Sequence, residues 1–527
     1  MSKKSPGFSQ GIFYKKDGYM NIGKIKEYDM KDFDLSLGVN SLKERREYIG
    51  GIPCVTKEFT SEVTIWIQAY NHFEKTKRCI ESVLKYTTDV DFDLILVDNN
   101  AGDETYEYFK AVDYPKKTVI HFDKNTGSAY PFSVVPLDMI SKYFVLLNND
   151  IIVTKNWLSN LLKVMKSDSK IGVVNPMSNN VSNYQCAEFP YSTYEEMQAK
   201  AANINISDPS KWQERLRVVT LGTLVSKECL YAMGWPFFDV GFSHNYMDDD
   251  MSFRARRAGY KIIVTFDTWV CHDHPSVREN NEEFIEILAK DIEKFKGKYY
   301  GIDPWQDATQ SIVEVDGLRD KIKRIEKESI SILGINPRCG MPILDIKNLY
   351  MYGKDIRMSA YYQEPKYYMD LCTVCNGDVV CDREENLKCH FDNGTFDYVF
   401  ICEPVNMYNN PVGVIKDAYD LLSKGGQLLL SLKCTNNVIS VLHAMGYKID
   451  IPRGIYQDIQ LDDLNVILSN MGIRISWVVP KYHENLSEQI NELIDGILEE
   501  HGNKRANMSE VKARVKAEEF WMMIEKI

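Results

Sequence analysis

Residues 146–153 contain the side chains best suited to chemistry in this chain. They read Leu-Leu-Asn-Asn-Asp-Ile-Ile-Val, so two amides and the carboxylate of Asp150 interrupt an apolar run. A short apolar run predicts a buried parallel strand, and open α/β sheets hold their ligands at strand ends. A carboxylate there can bind a hard divalent cation, which usually arrives with a phosphorylated substrate. The segment therefore predicts a nucleotide or nucleotide-sugar site.

The elements that would position these groups alternate between strand and helix. Residues 63–67 and 92–97 predict strands, and residues 73–86 predict a helix with one apolar side. Each of the two strands runs into polar residues, at 68–71 and at 98–103. Repeated β-α-β units with polar strand ends predict an α/β fold, a doubly wound sheet with its site along one edge.

Composition restricts the class of protein. The chain has 527 residues with 44% hydrophobic and 26% charged residues, which indicates a globular protein of several domains. No apolar run approaches the roughly 18 residues that span a bilayer, and the N-terminus lacks the apolar core of a signal peptide. Twelve scattered cysteines favour reduced thiols, so we expect a cytoplasmic protein without stable membrane insertion. A net charge of −12 argues against nucleic acid as the partner.

Several segments, taken in order, resemble the family-two glycosyltransferases of the GT-A fold. The resemblance extends over about residues 60–300 and is specific because the segments occur in the family's order. Val270-Cys271-His272 lies where that family has its late histidine. The matching segments are Ile67-Gln68-Ala69-Tyr70-Asn71, Leu96-Val97-Asp98-Asn99-Asn100, Asn125-Thr126-Gly127, Leu147-Asn148-Asn149-Asp150 and Asp248 to Tyr260.

The resemblance implies a set of donor-binding residues. Backbone at Ala69 and Tyr70 and the carboxylate of Asp98 would hold the nucleobase, since a carboxylate accepts the imide proton of uracil. The alternative for Asp98 is a cap on the following helix. Gly222, read as the centre of a strand over residues 218–225, would allow a sugar to approach the backbone closely. The remaining donor-binding residues are Asn100, Asn125, Gly127, Asn148, Asn149 and Arg254.

The resemblance also implies a metal site for Mn²⁺ or Mg²⁺. Asp150 would coordinate the cation that bridges the diphosphate, and His272 is the candidate second ligand. The family's usual motif is Asp-X-Asp, whereas this chain has Asn148 in the first place. One charge is thereby lost, so we expect the metal to bind weakly or only together with the donor. The alternatives are a strand-end turn without metal, and a histidine oriented by its neighbour Asp273.

Transfer to a hydroxyl group requires a base. Alignment with the family places Asp248 at the acid of its Glu-Asp pair and Met247 where the glutamate usually lies. Asp250, two residues further on, is the competing catalytic residue. Adjacent acids repel each other and can raise one pKa towards a useful value. The alternative to a catalytic role is that these acids only stabilise the start of a helix. Inversion at the anomeric carbon is implied by the resemblance alone.

The C-terminal half predicts a second α/β domain. The segments Phe396–Val399 and Leu422–Gly426 resemble later motifs of the Rossmann-like class I methyltransferase fold. The loop from Gly334 to Gly340 lacks the family's glycine spacing and contains proline and arginine, which would obstruct the cofactor. We therefore expect a methyltransferase-like domain without S-adenosylmethionine turnover, used to position a protein acceptor; methylation of the transferred sugar is the alternative.

These predictions give five regions and one activity. The regions are an N-terminal extension at 1–60, a GT-A domain at 61–280, a helical linker at 281–330, the methyltransferase-like domain at 331–480 and C-terminal helices at 481–527. The expected donor is UDP-N-acetylglucosamine, with dTDP-rhamnose as its rival. The expected acceptor is a Ser/Thr hydroxyl of a surface protein such as flagellin, or alternatively a polysaccharide or lipid-linked glycan. A non-catalytic nucleotide-sugar-binding scaffold is the other class, and the oligomeric state stays open.

Overall fold

The computed structural model describes the backbone of residues 13–15 and 18–20, and residues 60–527 apart from several stretches. Those stretches are 135–136, 138–139, 235, 243–244, 274–281, 313–314, 316, 436–456, 483–491, 493, 497–498, 500–510 and 512–513, and for 282–284 only the backbone is described. Most of the predicted extension at 1–60 therefore lies outside the described residues.

The described residues belong to two units, one within 28–309 together with 350–353, and the other within 1–27, 310–349 and 354–527. In the second, β1 Phe13–Lys15 and β2 Gly18–Met20 form a separate antiparallel pair. In neither unit do the described residues contain a helix long and apolar enough to cross a membrane.

A mixed nine-stranded sheet forms the centre of the first unit. Its spatial order is β5-β4-β3-β6-β10-β8-β11-β7, and β9 also pairs with β11. The strands are β3 Val63–Ala69, β4 Phe92–Asp98, β5 Lys117–His121, β6 Tyr143–Asn148, β7 Ile151–Ile152, β8 Ile171–Ser178, β9 Trp212–Arg215, β10 Thr223–Ser226 and β11 Lys261–His272.

Helices flank this sheet. In the first of them, Cys79, Ile80 and Val83 are buried, as the apolar spacing of residues 73–86 predicts. The helices are α1 Phe73–Tyr86, α2 Thr105–Ala111, α3 Trp157–Ser167, α4 Tyr194–Ile204, α5 Lys227–Met233, α6 Met247–Arg257, α7 Glu282–Lys298 and α8 Pro304–Asp307. Short 3-10 helices lie at Tyr130–Val134 and Pro209–Lys211.

The second unit has a seven-stranded sheet in the order β14-β13-β12-β15-β16-β18-β17. Its strands are β12 Ile330–Ile335, β13 Ile356–Tyr362, β14 Val379–Cys381, β15 Phe396–Ile401, β16 Leu422–Lys433, β17 Ile475–Tyr482 and β18 Ala517–Glu525. The first five are parallel, and β18 runs antiparallel to both of its neighbours. The prediction of α/β structure is thus confirmed in both halves of the chain.

Helices of the second unit are mostly short. They are α9 Leu318–Lys321, α10 Met341–Lys347, α11 Tyr368–Val374, α12 Leu387–His390, α13 Pro411–Leu421 and α14 Leu461–Asn470, with 3-10 helices at Pro365–Tyr367, Glu384–Asn386 and Val405–Met407.

The end of the chain corrects the last part of the C-terminal helices predicted at 481–527. Residues Ala517–Glu525 form β18, which lies between β16 and β17. The run Phe520 to Ile524 is buried throughout. A strand inside a sheet, covered on both faces, reads as a continuous apolar run rather than an alternating one. This run was therefore mistaken for part of a helix.

Candidate functional site

The parallel strands β4, β3 and β6 place their polar ends side by side. Ala69 at the end of β3 lies opposite Asp98 of β4, and Gln68 lies opposite Asn148 of β6. The carboxyl ends of neighbouring parallel strands meet at one edge of a sheet, where such folds bind ligands. The structure therefore brings the predicted residues after β3, β4 and β6 to a single edge.

Asp98 is completely buried at this edge. Its Oδ1 accepts a hydrogen bond from the backbone N–H of Ala101 at 2.9 Å, and its Oδ2 lies 2.6 Å from Nδ1 of His121. Asp98 thereby holds the turn after β4 and the His121 ring. A carboxylate has about four acceptor sites, so the contact between Asp98 and uracil stays a prediction.

His121 is a site residue that sequence reasoning missed. Its ring stacks on that of Tyr106, with 4.1 Å between the ring centroids, and 38% of its side chain is exposed. Strand β5 pairs in parallel with β4, which sets His121 opposite Asp98. Only this strand pairing, and no local sequence pattern, could have indicated His121. The exposed imidazole and the half-exposed ring of Tyr70 are polar aromatic groups of this unit.

The loop at 125–127 is held by Asn99, which precedes the predicted donor-binding residue Asn100. Asn99 donates from Nδ2 to Asn125 Oδ1 and to the carbonyl of Gly127, both at 3.1 Å, and its Oδ1 accepts from the backbone of Thr126. Asn125 in turn accepts from the N–H of Gly127 at 2.9 Å. Asn100, the predicted donor contact, is exposed with a left-handed backbone. Asn99 thus holds the 125–127 loop against the end of β4.

Asp150 and His272 meet through a short antiparallel pairing. Strand β7 pairs with the end of β11, with Ile151 opposite His272. The N–H of Asp273 donates to the carbonyl of Asp150 at 2.8 Å. As a result Oδ2 of Asp150 lies 3.4 Å from Nε2 of His272. The two residues predicted to bind metal are thus adjacent, although far apart in sequence.

The His272 ring is held in one tautomer. Its Nδ1 lies 3.0 Å from the carbonyl oxygen of Asn180, and only a protonated nitrogen can donate to a carbonyl. Nε2, the nitrogen that faces Asp150, therefore carries the lone pair in the neutral ring. Metal-ligating histidines commonly donate their other N–H to a backbone carbonyl in this way. Asp273 does not orient the ring, because it pairs with Arg78 at 2.6 Å.

Both amides that precede Asp150 brace its loop. Asn148 Nδ2 donates to the carbonyl of Thr220 at 3.3 Å, and Asn149 Nδ2 donates to the hydroxyl of Thr76 in α1 at 2.9 Å. Gly222 has a φ of +90° and precedes β10, so its predicted place inside a strand is wrong. A Cβ on Gly222 would lie 3.2 Å from the Leu147 side chain. Both this close approach and the positive φ favour glycine at position 222.

Asp248 lies in the first turn of α6 and is the partly exposed member of three consecutive acids. The hydroxyl of Thr220 donates to its Oδ1 at 2.7 Å. Burial raises the pKa of Asp248 from 3.8 to about 6, and the neighbouring charge of Asp249 adds to the rise; the Thr220 hydrogen bond and Arg217 oppose it. A carboxylate with this pKa can accept a proton near neutral pH.

Asp249 and Asp250 have structural partners. Asp249 is buried, and its two oxygens accept from Nε of Arg217 and, at 2.9 Å, from the indole N–H of Trp305. Asp250 is fully buried, and its oxygens accept from Arg254, Lys298 and Tyr299. Despite burial, the pKa of Asp250 is lowered, because Arg254 and Lys298 stabilise the charged form.

Two predicted roles are corrected by these contacts. Asp250 has no exposed surface from which to reach a substrate, so it is not the base. The guanidinium of Arg254, predicted to bind the donor, donates to Asp250 and to the carbonyls of Gly234 and Phe237, at 2.7, 3.0 and 2.6 Å. It therefore ties α6 to the segment before it. Arg217, Trp305 and Thr220 went unnoticed because their roles depend on contacts with a distant helix.

Among the described residues, no three histidine, cysteine or acidic side chains are grouped as a complete metal site. Asp150 and His272 are thus a pair of potential ligands rather than a complete cluster. Hard cations such as Mg²⁺ commonly take one or two protein ligands and complete their shell with substrate phosphates and water. The donor set fits that kind of shared site.

Part of the first unit is similar to known glycosyltransferases. Residues 64–212 match the family described as "Glycosyl transferase family 2", and no curated protein matches the chain. Two solved structures are similar to parts of it. They are a mannosyltransferase, PcManGT, from Pyrobaculum calidifontis in complex with GDP-Man and Mn²⁺ (14% identity, TM-score 0.35, 52% of this chain and 75% of that chain) and GalNAc-T7 with UDP, GalNAc and Mn²⁺ (11% identity, TM-score 0.33, 44% and 48%).

The buried acids generate a stability prediction. Asp250→Asn removes the charge that offsets Arg254 and Lys298, and an uncompensated buried ion costs about 3–5 kcal/mol. We expect urea unfolding of the full chain to show this loss in the first unit. Asp248→Asn is the control, since it removes a charge that burial disfavours, and it should leave stability nearly unchanged. Equal stability of the two variants would contradict the assignment.

Proposed function

We propose that this chain is a metal-dependent, inverting glycosyltransferase that moves a sugar from a nucleotide-sugar donor onto a hydroxyl group. Residues 64–212 are a glycosyl transferase family 2 domain, whose activity is sugar transfer from such donors. The observation that carries the finer proposal is the approach of Asp150 to His272 beside the polar strand ends. Its partner in the chemistry is the partly buried Asp248.

The metal proposal follows from the donor set. Asp150 would supply a carboxylate oxygen and His272 its Nε2 to Mn²⁺ or Mg²⁺. When bound, such an ion stabilises the negative charge that develops on the leaving diphosphate. Asn148 donates to the Thr220 carbonyl, and its neutral amide adds no charge to the site. This supports the expectation that metal binds best together with the diphosphate of the donor.

The proposed base is Asp248. An acceptor hydroxyl attacks the anomeric carbon from the face opposite the diphosphate, which breaks the bond to the leaving phosphate oxygen and inverts the centre. The hydroxyl proton must leave during this step, and the Asp248 carboxylate would take it. Thr220 supports the orientation, because its hydroxyl holds one oxygen of the carboxylate in place.

Donor and acceptor identities are proposed on the resemblance. UDP-N-acetylglucosamine is the first candidate and dTDP-rhamnose the second; a protein hydroxyl, as in flagellin, and a glycan hydroxyl are the two acceptor classes. A non-catalytic scaffold is favoured by one observation, namely that Asn148 and Met247 replace acids usual in the family. The raised pKa of Asp248 favours the enzyme instead.

For the second unit we propose a methyltransferase-like fold without methyl transfer. Its five parallel strands and the inserted antiparallel β18 support a Rossmann-like sheet of that kind. In the loop after β12, Arg338 has a left-handed backbone, and its Nε donates to Glu403 at 2.8 Å across the strand ends. Pro337 and this ion pair take the place of the small residues that let a cofactor approach the backbone. These residues do not fit S-adenosylmethionine, and no chemistry is derived through it.

The pH dependence of transfer tests the base. Asp248 must be ionised, so we expect the rate to rise between pH 5 and pH 7 with a midpoint near its pKa of about 6. Thr220→Val removes a hydrogen bond that lowers this pKa, and the midpoint should move to higher pH. Asp248→Asn should lower kcat by about 10²–10⁴-fold. Asp91→Asn, an exposed acid, is the control, and an unchanged rate in Asp248→Asn would refute the base.

Metal binding tests the other half of the site. We expect His272→Ala and Asp150→Asn each to weaken Mn²⁺ binding in the presence of UDP by at least about tenfold, because each removes a ligand. Mn²⁺ electron paramagnetic resonance measures the unbound ion directly. His390→Gln is the control, since His390 also pairs with an aspartate, Asp382, but in the second unit. Unchanged affinity in both site variants would exclude Asp150 and His272 as ligands.

A further inference from the structure

Trp305 is an exposed aromatic residue next to the proposed base. Its residue surface is 43% exposed, which is unusual for a large indole that could be buried. We propose that the Trp305 ring binds the acceptor by stacking on a pyranose, so that the acceptor of this enzyme is a glycan. This inference rests on the proposed function and deepens it by naming the acceptor class.

Two contacts fix the Trp305 ring despite its exposure, and a third holds its backbone. The indole N–H donates to Oδ2 of buried Asp249 at 2.9 Å. The ring stacks on Tyr246 with 4.6 Å between centroids and 22° between planes. The Trp305 backbone N–H donates to Oδ1 of Asp303 at 3.0 Å, which caps α8. An exposed side chain held in one orientation is pre-organised, and pre-organisation lowers the entropic cost of binding.

These contacts also place Trp305 beside Asp248. Asp249 directly follows Asp248 in α6, and Tyr246 lies two residues before it. Consecutive Cα atoms are about 3.8 Å apart, so the indole is anchored one residue away from the carboxylate that would take the acceptor proton. Asp249 is itself fixed by Arg217, which keeps this anchor rigid relative to the helix.

The chemistry of the ring selects the partner. An indole offers a broad apolar face with partial negative charge, which matches the C–H face of a pyranose. Tyr246 covers one ring face through stacking, so the exposed part of the indole can serve a single flat ligand. A Ser or Thr side chain has no comparable face. A sugar held there would lie against the start of α6, one residue along the helix from Asp248.

The ring can be observed directly by ¹⁹F NMR of protein labelled with 5-fluorotryptophan. The Trp305 resonance is assigned by its loss in Trp305→Phe. In the presence of UDP and Mn²⁺, methyl pyranosides of glucose, galactose, mannose, rhamnose and N-acetylglucosamine are titrated, alongside short Ser- and Thr-containing peptides. We expect at least one methyl pyranoside to shift the Trp305 resonance saturably, and the peptides to leave it unchanged. A shift with peptides alone, or with none of these probes, would overturn the proposal.

Kinetics separate this inference from the proposed function. Hydrolysis of the donor needs no acceptor, so Trp305→Ala should leave it within about twofold of wild type while KM for the responding pyranoside rises about tenfold or more. Trp305→Phe keeps an aromatic face but loses the N–H to Asp249, so its KM should lie between those of wild type and Trp305→Ala. Retained donor hydrolysis in Trp305→Ala excludes misfolding as the cause. Tyr231→Ala removes another exposed ring of the same unit and is the control. Unchanged KM in Trp305→Ala would refute stacking, whereas absence of donor hydrolysis in wild type would refute the proposed function itself.

Discussion

The site depends on the register between β7 and the end of β11. Two residue pairs, with Ile151 opposite His272, and one further backbone hydrogen bond from Asp273 bring Asp150 to His272. Side chains alternate between the two faces of a strand, so a slip by one residue would turn His272 to the opposite face. Asn148 and Asn149 fix the loop that leads into β7, and the carbonyl of Asn180 fixes the His272 ring at the end of β11.

The start of α6 carries three consecutive acids, Asp248, Asp249 and Asp250. Three adjacent carboxylates repel one another, yet successive residues of a helix point in directions about 100° apart. Asp249 therefore meets Arg217, Asp250 meets Arg254 and Lys298, and Asp248 accepts a hydrogen bond from the hydroxyl of Thr220. The two compensated acids stabilise the helix and its surroundings. The third retains a raised pKa, which suits its proposed role as the base.

Much of the N-terminal fold could be predicted because its signals are local. Apolar runs that end in amides and acids, as at Asn148 to Asp150, predicted parallel strands with their polar ends at one edge. The approach of Asp150 to His272 was accessible only through resemblance, since no local pattern links the two. The closure of Asp98 by His121 and the burial of Asp250 escaped prediction, because both depend on partners distant in sequence. The strand β18 was missed because a buried strand and a buried helix segment share one apolar pattern.

Loss of donor is the most direct test of the central claim, that this edge of the sheet binds and cleaves a nucleotide sugar with a metal ion. Wild-type protein is incubated with Mn²⁺ and, separately, with each of a panel of UDP-, GDP- and dTDP-sugars, and the products are followed by mass spectrometry. We expect at least one donor to be slowly hydrolysed to sugar and nucleoside diphosphate, and chelation of the metal to stop the reaction. If no donor is consumed although nucleotide sugars bind, the claim is contradicted and the protein is a nucleotide-sugar-binding scaffold.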